Sequence, residues 1–79
     1  MRELASRLQA VQQRIAVAAA AAGRPADAVR LLAVSKTRPA ADVRALHGAG
    51  QRAFGENYVQ EAEGKMAELA DLAIEWHHI

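Results

Sequence analysis

Lys36 has the most chemistry to offer. It stands just past the apolar run Leu31-Leu32-Ala33-Val34, with Ser35 between. An amine emerging from a buried strand is partly desolvated, which favours its neutral form, and a neutral amine adds to a carbonyl. The same pattern also suits a strand-end lysine whose flexible stem simply reaches water. Asn57 and Tyr58 form a second candidate cluster beside Gly55 and Glu56. Asn57 either faces a ligand or caps a helix, and a capping box with Gln60 fits the second reading. Tyr58 either faces a ligand or packs with its hydroxyl at the rim. Gly55 permits close backbone approach or relieves a bend. The third cluster is His77-His78-Ile79.

Other chemistries are excluded by type and spacing. Adjacent His77 and His78 point to opposite faces of a strand, so they do not ligate one metal together. There is no Cys, no His-Glu-x-x-His and no third nearby ligand, so neither a zinc site nor a disulfide scaffold is expected. Gly64-Lys65 is followed by Met66 and position 59 is Val, so the phosphate-loop pattern fails. Glu56, Glu61 and Glu63 read as helix-start and surface carboxylates, and Trp76 as core.

Positioning these clusters requires alternating elements. Leu4, Leu8, Val11 and Ile15 recur at helical spacing and predict a first helix through the Ala run, stopped by Gly23 and Pro25. The run from Val29 to Val34, broken only by Arg30, predicts a strand buried on both faces. Pro39 suits the first turn of a second helix ending at Gly48-Ala49-Gly50. Residues 52–57 predict a second strand. Val59, Ala62, Met66 and Leu69 predict an amphipathic third helix carrying a Glu61–Lys65 pair, and residues 74–79 a third strand. Lys36, Asn57 and His78 recur every 21 residues at equivalent points. Such βα alternation implies a parallel sheet, open or closed into a barrel, with ligands beyond the carboxyl ends of its strands.

Composition narrows the class further. Of the 79 residues 52% are apolar, but 20 of those are Ala, and only Phe54, Tyr58 and Trp76 are aromatic. At about 25 cal/mol per Å² of apolar burial, that core is thin for a free-standing domain. Three parallel strands also leave an unpaired edge, so a longer βα protein is expected. A net charge of +1 offers nucleic acid no electrostatic footprint. The apolar stretch Ile15–Ala22 is too short for a membrane span and lacks a basic start, so neither a membrane helix nor a signal peptide is expected. Absence of Cys fits a reducing cytoplasm.

Three segments together resemble one family: Leu32-Ala33-Val34-Ser35-Lys36-Thr37 with Pro39, then Phe54-Gly55-Glu56-Asn57-Tyr58-Val59-Gln60-Glu61, then Glu75-Trp76-His77-His78-Ile79. They are similar to the amino-terminal part of the pyridoxal phosphate homeostasis proteins, the proline-synthase co-transcribed family. The resemblance implies an α/β fold, with residues 1–79 as the first part of a single (β/α)8 TIM-type barrel like the amino-terminal domain of alanine racemase. It implies that Lys36 forms an aldimine with pyridoxal 5′-phosphate, that Asn57 lies beside the cofactor ring, and that His77 to Ile79 line the same pocket. Relatives mostly carry a bulky apolar residue where this chain has His78, so His77 and Ile79 are the expected pocket residues there. The phosphate-binding loops of that family lie late in the barrel, outside these residues.

The implied function is intracellular cofactor homeostasis without a turnover of its own. Apo-enzymes that depend on the same cofactor are the candidate recipients, and the full-length protein is expected to be a monomer. The alternative is an amino-acid racemase or lyase on the same barrel.

Overall fold

The periodicity from Leu4 onward does produce a long helix. A computed structural model describes residues 2–79. Helix α1 runs Arg2–Ala21 and buries Leu8 and Ala19. Beyond it the Arg24 N–H closes back on Ala19 O at 2.8 Å, just ahead of Pro25. A 3₁₀ turn, Ala26–Ala28, leads into the first strand.

The expected alternation then holds. Strand β1 is Ala33–Val34, helix α2 Ala40–Gly48, strand β2 Ala53–Glu56, helix α3 Val59–Glu68 and strand β3 Glu75–His78. The strands form one parallel sheet in the order β1-β2-β3. Ala33 pairs with Phe54 and Val34 with Gly55; Phe54 in turn pairs with Trp76 and Gly55 with His77.

Strand β1 is shorter than its apolar run. Val29 to Leu32 lie outside the ladder. There the buried side chain of Gln51 takes the ladder's place, its Nε2 donating to Leu31 O at 2.7 Å and Ala53 O at 2.8 Å. Pro39 caps α2 rather than entering its first turn. Gly50, at φ 110°, turns the chain from α2 into β2, a backbone shape that side chains disfavour.

The core lies between sheet and helices. Val43 from α2, Phe54 from β2 and Leu69 just past α3 are buried together, with Ala33, Leu46, Ile74 and Trp76 packed against them. The rings of Phe54 and Trp76 meet at 6.2 Å with a 46° tilt. Burying a Phe side chain contributes about 1.5–3 kcal/mol, which makes Phe54 the anchor of the middle strand.

Helix α3 does not present the stripe its sequence predicts. Val59 is 62% exposed and Met66 46% exposed, while Lys65 is buried. The helix is rotated so that Ala62, Lys65 and Leu69 face inward. What turns it is polar: buried acceptors just past β1, at Ser35, and on β2, at Glu56, hold the Lys65 ammonium.

Candidate functional site

The expected site residues gather at the carboxyl edge of the sheet, on the face that carries no helix. Side chains alternate along a strand, so Phe54 and Glu56 share the helix-covered face, and Gly55 and Asn57 the other. By the same alternation Val34 and Lys36, then His77 and Ile79, lie on that uncovered face. The ladder continues past the strand ends, where Ser35 N–H donates to Gly55 O and Ile79 N–H to Glu56 O, each at 2.9 Å. Lys36, Asn57 and Ile79 are each the next residue beyond, or the last residue of, that extended ladder.

The uncovered face is built around small residues on β2. Ala53 and Gly55 are both buried. A β-carbon at Gly55 would stand 3.2 Å from Ile79 Cγ2 and 3.5 Å from Leu32 Cδ2. One step toward the amino end, Arg30 reaches Glu75 at 2.9 Å. His77 Nε2 lies 2.6 Å from the same Glu75 oxygen. The hydrogen bond from His77, then that from Arg30, holds the Glu75 carboxyl below its ordinary range. His77 is therefore engaged toward the amino end, one row back from Lys36, Asn57 and Ile79.

Two expectations change here. Lys36 is exposed rather than partly desolvated. Asn57 is not the helix cap; Tyr58 takes that position without a side-chain cap bond, and no capping box with Gln60 forms. The Asn57 carbonyl instead receives a 3.2 Å hydrogen bond from His78 Nε2, which lies on the helix-covered face. Tyr58 is 57% exposed.

The most unusual feature lies directly beneath Lys36. Glu56, which reads as a surface carboxylate, is 3% exposed, and Lys65 is 6% exposed. The Lys65 ammonium donates to Ser35 O at 2.6 Å, to Glu56 Oε1 and Oε2 at 3.0 and 3.1 Å, and to Glu61 Oε1 at 3.1 Å. Three donors thus meet three acceptor groups. Ser35 Oγ donates to Glu56 Oε2. Glu61 Oε1 also accepts the Thr37 N–H at 2.6 Å. That bond, followed by the one from Lys65, lowers the Glu61 carboxyl below its ordinary range.

Thr37 has φ 65°, a left-handed conformation that costs a non-glycine residue about 1–2 kcal/mol. The signal in the sequence was available: Lys65 lies three residues after Ala62 and four before Leu69, on an inward stripe. Its i,i+4 relation to Glu61 suggested a solvated pair instead.

Among the described residues no group of three His, Asp or Glu side chains is arranged to hold a metal ion. No helix among them is long and apolar enough to cross a membrane.

No family model matches the sequence. The pyridoxal phosphate homeostasis protein of Pseudomonas aeruginosa is 60% identical over 79 residues, all of this chain and 34% of its own length. That of Escherichia coli K12 is 44% identical over 82 aligned residues, all of this chain and 35% of its own. The chain therefore spans about a third of the length of the curated relatives it matches. Among solved structures, PipY of Synechococcus elongatus is 44% identical and covers 96% of this chain. It superposes with a TM-score of 0.80 in its form without PLP and 0.78 with PLP bound, over 31% and 32% of the respective PipY chains. A protein of Bifidobacterium adolescentis superposes with a TM-score of 0.82 at 39% identity, over 99% of this chain and 36% of its own.

Proposed function

This chain is related over its whole length to the pyridoxal phosphate homeostasis proteins, and from that premise we propose that it supplies the lysine-bearing edge of a pyridoxal 5′-phosphate site. Residues 1–79 form the amino-terminal part of a single (β/α)8 barrel in this reading, and the uncovered sheet face is its interior. Parallel strands, helices confined to one face and small residues at the centre of the other all support that reading.

The donor set fits the cofactor's reactive end. Lys36 offers an exposed primary amine, Asn57 a carboxamide, and Ile79 over Gly55 an apolar floor. When bound, the cofactor supplies an aldehyde and a conjugated ring that withdraws electrons. Lys36 Nζ is the nucleophile, Asn57 orients the ring, and Ile79 excludes water from its apolar side. His77, tied to Glu75, fixes the row behind. The protein holds the cofactor for apo-enzymes that depend on it and does not turn over a substrate. It acts as a cytoplasmic monomer.

The carrying observation is the exposed Lys36 amine on the uncovered carboxyl edge, within residues that superpose on PipY solved with PLP bound. Borohydride reduction of the loaded full-length protein, followed by peptide mass mapping, tests it. The cofactor mass should appear on Lys36. Its appearance on a different lysine, with Lys36 unlabelled, would overturn the reading.

A further inference from the structure

The two peptide groups that flank the Lys36 α-carbon are both held from below by one ion pair on α3. The carbonyl before it, Ser35 O, accepts from Lys65 Nζ at 2.6 Å. The N–H after it, on Thr37, donates to Glu61 Oε1 at 2.6 Å. Lys65 and Glu61 are themselves joined at 3.1 Å, one turn apart on the helix. The φ and ψ of Lys36 are set by the planes of those two peptide groups, so anchoring both fixes the direction of its Cα–Cβ bond.

Neither anchor is a generic surface contact. Lys65 is buried and further secured by Glu56, which also accepts from Ser35 Oγ. The Thr37 backbone adopts a left-handed conformation that a non-glycine residue keeps only when its surroundings impose it. The segment is also closed by the Arg38 N–H on Ser35 O at 3.0 Å.

We propose that Glu61, held by Lys65, is a positioning residue that clamps the backbone around Lys36 and so aims its amine along the uncovered sheet face. The inference rests on the cofactor-site reading for its consequence, but the clamp has a signature of its own. Glu61 touches no ligand in this scheme. It acts through the backbone, and its oxygen matters more than its charge.

The test uses Glu61→Ala and Glu61→Gln in the full-length protein. Glu61 is partly exposed, so both variants should fold, which far-ultraviolet circular dichroism checks. Attachment is followed as borohydride-trapped label at Lys36, with pyridoxal 5′-phosphate and with phosphate-free pyridoxal. The second aldehyde removes any contribution from a phosphate site. Glu61→Ala should slow labelling by roughly tenfold with both aldehydes, about 1.4 kcal/mol in barrier. Glu61→Gln should restore most of the rate, because its amide oxygen still accepts the Thr37 N–H.

Amide hydrogen exchange at Thr37 supplies the readout that does not need the cofactor. It should quicken by tenfold or more in Glu61→Ala and stay near the wild-type rate in Glu61→Gln. Unchanged Thr37 exchange or unchanged Lys36 labelling in folded Glu61→Ala would overturn the clamp. So would equal losses in the two variants. If wild-type label maps away from Lys36, the cofactor-site reading fails, while Thr37 exchange still decides whether the clamp exists.

Discussion

A single buried ion pair organises the residues around Lys36. Burying an ammonium and a carboxylate together gains little over an apolar pair, but removing one partner strands the other. Glu56 and Lys65 are both almost fully enclosed, so Lys65→Met should leave the Glu56 carboxylate without its counter-ion. The expected cost is about 3–5 kcal/mol, a large part of the stability of a small domain. Urea denaturation of the full-length protein measures it. Adding Glu56→Gln to Lys65→Met should recover part of the loss, because a neutral amide tolerates burial better than a lone carboxylate. A single variant as stable as wild type would mean the pair is not buried in solution.

Lys65 also marks where residue-level reading of the sequence stops. Lys36, Asn57 and Ile79 could be placed at strand ends from the apolar runs before them. Burial of Lys65 could not, because a lysine four residues after a glutamate has the same local pattern on a wet or a dry helix face. The difference is made by acceptors 30 and 9 residues away, Ser35 O and the Glu56 carboxylate. The capping reading of Asn57 failed for a related reason. His78, 21 residues on, binds its carbonyl, and the chain stays extended for one more residue before α3 begins.

Between elements, exposed ion pairs lock helices and strands at their ends. Arg44 on α2 makes a two-pronged contact with Asp71, just past α3, at 2.9 Å for each prong. That hydrogen bond, reinforced by charge, holds the Asp71 carboxyl below its ordinary range. Glu75, bound by His77 and Arg30, is lowered likewise and ties β3 to the segment before β1. A carboxylate that is more acidic in the fold binds protons more readily in the unfolded chain. Its stabilisation is therefore complete above the unfolded pKa, at about 4, and is lost as pH falls through the lower folded value. Stability should fall below about pH 4, and Asp71→Asn should flatten that slope without changing its sign. Thermal midpoints between pH 6 and 2.5 check this; an unaltered acid slope in the variant would count against the contact. Added salt should weaken the effect, since both partners are exposed.

Element order was legible in the sequence because strands and helices differ in apolar period. The alternation and the parallel pairing both followed from Val29–Val34, Phe54-Gly55 and Trp76. Strand length was not legible for β1. An apolar run shows which residues avoid water but not which find a ladder partner, and beside Leu31 the side chain of Gln51, from the turn before β2, takes that place.

At the scale of the molecule, the chain is more open than a compact monomer of its mass. Its accessible surface is 5373 Å², against about 4,700 Å² for a compact monomer of 8.5 kDa. Its radius of gyration is 13.5 Å, against about 11.6 Å for a compact chain of this length. The excess lies partly on apolar side chains: Val34 is 54% exposed and Ile79 44% exposed, both on the face that carries Lys36. An amine on an open face remains hydrated, and a charged phosphate beside it needs donors that Lys36, Asn57 and Ile79 do not supply. The 79 residues alone should therefore bind pyridoxal 5′-phosphate weakly, with visible absorbance rising only at cofactor concentrations far above those that load the full-length protein. Parallel titrations of the two, each repeated with Lys36→Ala, measure the difference. Tight, Lys36-dependent colour from the isolated 79 residues would show that this edge of the sheet suffices for cofactor capture.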